Sequence, residues 1–115
     1  MPPVMRPLCS LSKRNKSAEM IKHVVLLKFK QPLNADQQLS LQQGFADLAA
    51  QIDVIQAYDF GPDLGLYRGN ADYALVAEFK NPAHVDLYVQ HPLHQAFLKN
   101  IAGPMLASFM CAQFS

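Results

Sequence analysis

The stretch that decides the fold reads Ile21-Lys22-His23-Val24-Val25-Leu26-Leu27-Lys28-Phe29-Lys30. Its residues alternate as in a β-strand, and one face carries Ile21, His23, Val25, Leu27 and Phe29. The opposite face is also apolar in its middle, at Val24 and Leu26. Because a strand that is apolar on both faces has to be covered on both faces, the sequence predicts a sheet with protein on each side.

A helix is predicted to follow this strand. Asn34 is a favourable N-cap, and Gln37 occupies the third helical position, where its side chain completes a capping box. A single apolar stripe then runs along the helix through Leu41, Phe45, Leu48 and Ile52. The stripe persists despite Gly44, a residue that weakens helices. Such a stripe needs a sheet to pack on.

Three further strands are predicted, from Val54 to Phe60, between Asp72 and Lys80, and from Ser108 to Phe114. Gly61-Pro62 ends the first of them, and a loop with several glycines runs from Gly61 to about Ala71. We interpret this loop as a flexible connection near the mouth of a pocket.

The second helix is predicted to be broken. Asn81 caps it, and Pro82 takes the first helical position. The helix falters at His91, because a residue before proline avoids helical dihedrals, and Pro92 then opens a new helical turn. The restarted helix continues until Gly103-Pro104 interrupts it.

The order of elements is therefore β-α-β-β-α-β, the ferredoxin-like arrangement of the α+β class with a four-stranded antiparallel sheet. Its helices cover one face of the sheet, yet the strands are too apolar for the other face to meet water. Face-to-face pairing of two chains into a dimeric α/β barrel solves this problem. We therefore expect a homodimer.

The 115 residues fit one domain, and with 17% charged residues and a net charge of +1 they lack the basic surface of nucleic-acid binders. No apolar run approaches the length of a membrane span, and the N-terminal segment lacks the apolar stretch of a secretory signal. We expect a cytoplasmic protein with reduced Cys9 and Cys111, whose partners are small apolar or aromatic molecules or a second copy of itself.

Residues 1–19 differ from the rest of the chain. They combine prolines with basic and serine residues and contain no acidic residue before Glu19. We expect a tail that is disordered or derived from the expression vector, ahead of a domain spanning residues 20–115. Two alternatives stay open, namely that Met20 is the natural start and that the tail is a transit peptide.

The candidate site centres on His91-Pro92-Leu93-His94, which Tyr88 precedes and Phe97 follows. If Pro92 is the first helical residue, His94 is the third and lies in the positive field of the helix N-terminus, which disfavours imidazolium. A neutral His94 can accept a proton from a carbon acid while Tyr88 donates a hydrogen bond to the developing oxyanion. The alternative is that His94 bonds local backbone groups and that Tyr88 is ordinary packing.

Four residues are candidate ligand contacts, namely His23, Tyr73, His91 and Phe97. His23 lies on an apolar strand face, as a satisfied interior histidine or as a polar group directed at a ligand. For His91 we favour capping of the restarted helix over ligand contact, and we expect His84 to face solvent. No metal is expected, because no cysteine pair or glutamate-containing helix motif accompanies the histidines.

Two segments carry a resemblance to a known family. The first is the strand from Ile21 to Lys30, and the second is Ala77-Glu78-Phe79 followed by the residues from Tyr88 to Phe97. Both are similar to segments of the stress-responsive dimeric α/β-barrel (Dabb) domains, and the resemblance spans about Met20 to Phe114. It implies a homodimeric barrel with a pocket in each subunit between the sheet and the helices.

The resemblance also implies candidate roles. Most members of the family have no assigned activity, and plant members are associated with stress responses. One plant member closes a linear polyketide without a cofactor, and its catalytic tyrosine and histidine align with Tyr88 and His94. His23 aligns with a histidine that lines that pocket, whereas Tyr73 stands where the cyclase has a histidine, so this chain departs from the cyclase there.

Three interpretations of function follow, and none of them requires a cofactor. The leading one is a stress-response-type Dabb protein, a homodimer with a small-molecule pocket in each subunit. The alternative is a cofactor-independent enzyme of the cyclase, lyase or oxygenase type, which acts on aromatic or polyketide-like carbonyl compounds through His94 and Tyr88. The third is a purely structural dimer module.

Overall fold

The computed structural model of the protein describes residues 20–115, which form a four-stranded antiparallel sheet with helices packed against one face. The strands are β1 (Ile21–Phe29), β2 (Ala57–Pro62), β3 (Tyr73–Phe79) and β4 (Leu106–Phe114). Their order across the sheet is β2-β3-β1-β4. The α+β, ferredoxin-like fold predicted from the sequence is confirmed. Residues 1–19, which we interpret as a tail, lie outside the described residues. So does Cys9, which we expect to be reduced.

Helix α1 (Ala35–Gln51) begins where the sequence predicts. The Asn34 side chain accepts a hydrogen bond from the Gln37 backbone N–H at 2.8 Å, and the Gln37 side chain accepts one from the Asn34 N–H at 3.0 Å. This reciprocal pair satisfies two of the backbone donors that a helix start leaves open. Local hydrogen bonds therefore fix the position at which α1 begins.

The second helix is broken at the predicted residue. Helix α2 (Pro82–Gln90) ends at His91, whose ψ of 136° is extended, and helix α3 (Pro92–Phe97) starts directly after it. A π-helical turn at Leu98–Ala102 and a short helical segment at Gly103–Met105 follow. In the π turn the Gly103 N–H reaches the Leu98 carbonyl, so helical turns continue past the predicted interruption, and β4 starts two residues before the predicted Ser108.

The predicted bounds of the second strand, Val54 to Phe60, are wrong at both ends. After α1 the chain makes a turn in which the Ile55 N–H donates to the Ile52 carbonyl at 3.2 Å. Pairing with β3 begins only when the Gln56 N–H donates to the Glu78 carbonyl at 2.8 Å, and it extends to Pro62. Proline is tolerated there because β2 is an edge strand.

The core lies between α1 and the helix-facing side of the sheet. The apolar stripe of α1 is buried, and every second residue of β3 is buried beneath it, namely Tyr73, Leu75, Ala77 and Phe79. Gly44 has a packing reason, because a Cβ added there would overlap the ring of Phe97. The residue that weakens α1 thus allows the ring from α3 to approach the helix closely.

The opposite face of the sheet carries exposed apolar side chains. Leu26, Met110 and Phe114 are 40%, 72% and 53% exposed, and eight of the nine residues of β4 are exposed. An ion pair between Lys22 and Glu78, with nitrogen and oxygen 3.0 Å apart, lies at one end of this apolar area. Within the described residues, no helix has the length and apolar character needed to cross a bilayer.

Candidate functional site

A row of opposed side chains crosses all four strands on the helix-facing side of the sheet. The register places Gln113, His23, Ala77 and Tyr58 opposite one another on β4, β1, β3 and β2. Directly opposed residues project to the same side of a sheet. Ala77 is the smallest of the four, and the ring of Tyr88 from α2 lies between those of His23 and Tyr58, 5.8 and 6.0 Å from them.

The half-buried phenol of Tyr58 and the buried phenol of Tyr88 share a hydrogen bond above this row. The hydroxyl oxygens of Tyr58 and Tyr88 are 2.6 Å apart, and Tyr88 is only 1% exposed. Burial raises the pKa of Tyr88 to about 12, although the hydrogen bond with Tyr58 opposes the rise. Burial and the neighbouring Tyr88 also raise the pKa of Tyr58. Both phenols are therefore neutral and able to donate.

His94 lies against Tyr88, with ring centroids 4.5 Å apart. Its Nδ1 is 2.9 Å from the Val89 carbonyl oxygen, and because a carbonyl can only accept, Nδ1 carries the hydrogen. In the neutral ring Nε2 then keeps a free lone pair. Burial lowers the pKa of His94, the bond to Val89 opposes this, and His91 adds to it. From the sequence, we expect the field of the helix N-terminus to keep His94 neutral. In the structure, burial is the largest cause of the lowered pKa of His94.

His23 has the opposite hydrogen arrangement. The Gln113 side-chain amide donates to His23 Nδ1 at 2.9 Å, so in the neutral ring Nε2 carries the hydrogen. The side chain is 6% exposed, and burial, followed by His94, lowers its pKa. One imidazole thus offers an acceptor and the other a donor. We call His23, Tyr58, Tyr88 and His94 the phenol–imidazole cluster.

The other sequence candidates lie outside this cluster. His91 caps α3, since its Nδ1 accepts a hydrogen bond from the Leu93 N–H at 3.1 Å. Phe97 packs in the core with its ring 4.8 Å from that of Phe45, and Tyr73 stacks on Phe45 from another side at 5.7 Å. Ligand contact by His91, Phe97 and Tyr73 stays a prediction. His84 is half-buried rather than solvent-facing.

Tyr58 is the member of the cluster that the sequence did not single out. Its partner Tyr88 comes 30 residues later, and nothing local to Tyr58 indicates this contact. The available signal is alternation, because Tyr58 and Phe60 share the apolar face of β2 while Asp59 points away. Among residues 20–115 no group of three or more His, Cys, Asp or Glu side chains is arranged to hold a metal ion.

The cluster is closed by its own packing. None of its side chains lines any of four clefts found in the described part of the chain. The largest of these clefts, about 600 Å³, lies instead beside Tyr73 at the other end of the sheet. The expected proximity of a pocket mouth to the loop after β2 holds for this cleft, since Pro62 and Asp72 at the two ends of the loop line it.

Comparisons with known proteins agree with this architecture. The sequence profile of the family described as stress responsive A/B barrel domain (Dabb) matches residues 21–115. Stress-response A/B barrel domain-containing protein HS1 from Arabidopsis thaliana is 28% identical over 87 residues, which cover 74% of this chain and 80% of the relative.

Two solved structures are similar as well. A dimeric ferredoxin-like protein of unknown function from Thermobifida fusca is 35% identical with a TM-score of 0.76, over 84% of this chain and 90% of that one. The hydroxynitrile lyase from Passiflora edulis has a TM-score of 0.73 at 19% identity, over 84% of this chain and 93% of the lyase. At that identity, the similarity to the lyase shows the fold alone.

Proposed function

The chain belongs to the stress-responsive A/B barrel domain (Dabb) family, and from this premise we propose that it is a homodimer whose subunits each bind a small neutral carbonyl compound at the phenol–imidazole cluster. The observation that carries the proposal is the 2.6 Å hydrogen bond between the hydroxyls of the half-buried Tyr58 and the buried Tyr88, beside a neutral His94. These groups present donors and an acceptor within an apolar interior.

The chemistry of the cluster supports a carbonyl ligand. Burying polar groups is costly, and apolar side chains of similar size can fill a core without that cost. Because the cluster is packed closed, binding requires the half-buried Tyr58 side chain to move aside. A carbonyl oxygen that then takes the place of the Tyr58 hydroxyl accepts a hydrogen bond from Tyr88, while a hydroxyl on the same ligand donates to Nε2 of His94. The neighbouring rings of Phe79 and Tyr88, 5.2 Å apart, favour an apolar or aromatic body.

The uncovered face of the sheet supports the homodimer. Leu26, Met110 and Phe114 form an apolar area that water contacts in a single chain. Exposed apolar patches of this kind mark protein contacts, and a two-fold dimer covers the same patch on both subunits. The Thermobifida fusca relative is described as dimeric.

The oligomeric state is tested by light scattering on the full chain after size exclusion. We expect twice the chain mass of 12.8 kDa. The double variant Leu26→Glu, Met110→Glu should shift the protein to a monomer, because it places charges in the interface. Leu87→Glu, at an exposed leucine on α2, is the matched control and should leave the dimer intact. A wild-type monomer at tens of micromolar, of the order at which specific dimers persist, contradicts the homodimer.

Ligand binding is tested with acetophenone, followed by amide chemical shifts of the labelled chain. We expect the largest shifts around Tyr88 and His94. Tyr88→Phe should weaken binding roughly tenfold, since it removes one hydrogen bond of about 1.4 kcal/mol. Tyr67→Phe, at a tyrosine that is 76% exposed, is the control and should bind as the wild type does. Equal affinity of Tyr88→Phe and wild type rules out the proposed contact.

An acid–base enzyme is the second candidate, and the free lone pair on His94 Nε2 favours it. In this reaction Nε2 takes a proton from the carbon next to the carbonyl, and the C–H electron pair moves to form an enolate. Tyr88 donates a hydrogen bond to the enolate oxygen. The proton on His94 exchanges with solvent, and His94 then delivers a solvent-derived proton to the carbon, which restores the neutral imidazole and the ketone. The chain's own residues supply both groups.

This candidate is tested through exchange of the methyl protons of acetophenone with D2O, monitored by NMR. The wild type should accelerate exchange above the buffer rate, and His94→Ala should return it to that rate. His84→Ala, a histidine outside the cluster, is the matched control and should keep the acceleration. Binding without any exchange in the wild type eliminates the enzyme candidate and leaves the binding function intact.

A further inference from the structure

Gln113 on β4 is the hydrogen-bond partner of one histidine of the phenol–imidazole cluster. The register places Gln113 directly opposite His23, so both side chains project to the helix-facing side of the sheet. The Gln113 amide nitrogen lies 2.9 Å from Nδ1 of His23. Gln113 is exposed on an edge strand, whereas His23 is buried. A side chain at the rim of the sheet is therefore bonded to one nitrogen of an interior ring.

This hydrogen bond determines where His23 carries its hydrogen. A neutral imidazole has one nitrogen with a hydrogen and one with a lone pair, and the bond at one nitrogen decides the state of the other. Because the Gln113 amide donates, Nδ1 of His23 supplies the lone pair and Nε2 keeps the hydrogen. Burial lowers the pKa of His23, and the neighbouring His94 lowers it further, so the ring is held neutral.

His94 has the reverse arrangement, and the main chain fixes it. Its Nδ1 donates to the Val89 carbonyl oxygen at 2.9 Å, which leaves the lone pair on Nε2. A backbone carbonyl can only accept, whereas a glutamine amide can donate or accept. The acceptor on His94 is therefore built into the backbone of α2, while the donor on His23 depends on the side chain at position 113.

Both imidazoles lie beside the phenol of Tyr88. Its ring centroid is 5.8 Å from that of His23 and 4.5 Å from that of His94. Among the described residues, Nε2 of neither histidine has a hydrogen-bond partner. The cluster thus offers a phenol O–H and an imidazole N–H as donors, with one imidazole nitrogen as acceptor. Two donors suit an oxygen that carries negative charge.

We propose that Gln113 is a positioning residue, which holds His23 in the tautomer that donates from Nε2 to the carbonyl oxygen of the ligand. The ligand contact rests on the proposed function, because it requires a carbonyl compound at the cluster. His23 and Tyr88 then donate to the same oxygen, while His94 accepts from a hydroxyl of the ligand. This polarity favours a carbonyl oxygen over an ammonium group at that place, since an ammonium can only donate.

The tautomer is tested in the ligand-free full chain through long-range proton–nitrogen NMR spectra of the histidine rings. These spectra separate a ring nitrogen that carries hydrogen from one that does not. Recording at about pH 8.5, roughly two units above the ordinary pKa of histidine, keeps both rings neutral. In the wild type we expect hydrogen on Nε2 of His23 and on Nδ1 of His94.

Two variants with opposite hydrogen-bonding character are compared at the exposed position 113. Gln113→Lys can only donate, and it should keep the hydrogen of His23 on Nε2. Gln113→Glu can only accept once ionised, and it should move the hydrogen to Nδ1. His94 is the internal reference, because its tautomer should be the same in all three proteins. A residue that merely stabilised β4 would not make the two variants differ in this signature.

The affinity for acetophenone connects the tautomer with the ligand. Gln113→Lys should bind within about twofold of the wild type, because His23 still donates from Nε2. Gln113→Glu should bind roughly tenfold more weakly, because one hydrogen bond to the carbonyl oxygen is lost. The amide shifts of the labelled chain measure both dissociation constants.

Each part of the proposal has an outcome that overturns it. A wild-type His23 with its hydrogen on Nδ1, or the same His23 tautomer in both variants, overturns the positioning role of Gln113. A hydrogen that moves in Gln113→Glu without a change in affinity overturns the contact between His23 and the ligand. If the wild type does not bind acetophenone, the proposed function fails, and the ligand-free spectra still decide the role of Gln113. The wild-type spectrum alone carries the first test if a variant does not fold.

Discussion

The two ends of the helix-facing side of the sheet differ in how they are filled. At one end, His23, Tyr58, Tyr88 and His94 pack ring against ring and satisfy one another's polar groups. At the other end, the rings of Phe29, Phe60 and Tyr73 line an open cleft of about 600 Å³. The same sheet and the same helix α1 bound both ends, so the difference arises from what stands above the strands.

At the closed end a second helix lies over the sheet. Helix α2 places Tyr88 above Ala77, and the small alanine leaves room for the ring. At the open end α1 is only beginning, and the side chains it directs there are the glutamines 38 and 42. At the closed end, the side chains of the phenol–imidazole cluster fill the space between helix and sheet. At the open end, where α1 starts above the sheet, a cleft is left.

The largest expected effect comes from removing the ring of Phe45, which packs against residues of both ends. Phe45→Ala should lower the free energy of unfolding by about 3–5 kcal/mol, because it deletes a buried ring that contacts Phe60, Tyr73 and Phe97. Urea unfolding measures this change. Leu39→Ala, at a leucine of α1 that is 62% exposed, is the control and should cost less than about 1 kcal/mol. A similar cost for both variants means that the Phe45 ring contributes no more to the core than an exposed leucine does.

A second, smaller effect compares the tyrosines of the two ends. Tyr58→Phe should cost about 1–3 kcal/mol, because it leaves the buried hydroxyl of Tyr88 without its partner. Tyr73→Phe should cost less than about 0.5 kcal/mol, since its hydroxyl makes no hydrogen bond with the other described residues. Thermal and urea unfolding of both variants provide the comparison. A larger loss for Tyr73→Phe reverses the assignment of closed and open ends.

The smallest expected effect is a loss of stability in mild acid, and it arises at the closed end. The pKa values of His23 and His94 are lowered below 6.5 in the folded chain, so the unfolded chain binds more protons in the window beneath that value. Stability should therefore decrease as the pH falls below 6.5 towards the lowered pKa values. Unfolding midpoints recorded across this window measure the decrease.

The double variant His23→Gln, His94→Gln provides the control for the acid effect. It removes both titrating rings and should flatten the dependence of the midpoint on pH. If the wild type and the double variant lose stability equally, the acid sensitivity has another source, and the two imidazoles do not distinguish the closed end from the open end.

Features set by neighbouring residues were predictable from the sequence. Asn34 and Gln37 determine the start of α1 through hydrogen bonds only three residues apart. Pro92 determines the break after α2 through its own ring and the residue before it. Alternation on β1 and β3 identified the buried faces, because period two is intrinsic to a strand. These local rules suffice for the order of elements and for most of their bounds.

Features set by distant residues were not predictable in this way. The start of β2 depends on the bond from Gln56 to Glu78, and the role of Tyr58 depends on Tyr88. The cleft depends on the relative placement of α1 and three strands, and no spacing in the sequence encodes an empty volume. Within the site, the sequence therefore identified the histidines and Tyr88 but neither the partner of Tyr88 nor the open cleft.

The contact between Gly44 and Phe97 sets a rule for how this sequence can diverge. A Cβ at position 44 would overlap the Phe97 ring, so a larger residue at 44 is compatible only with a smaller one at 97. The two positions are expected to vary together among homologues, although they are 53 positions apart in the sequence. Gly44 in the middle of α1 can therefore be replaced by a larger residue only if Phe97 is replaced too. As long as Phe97 is kept, α1 retains the lower helical stability that a glycine causes.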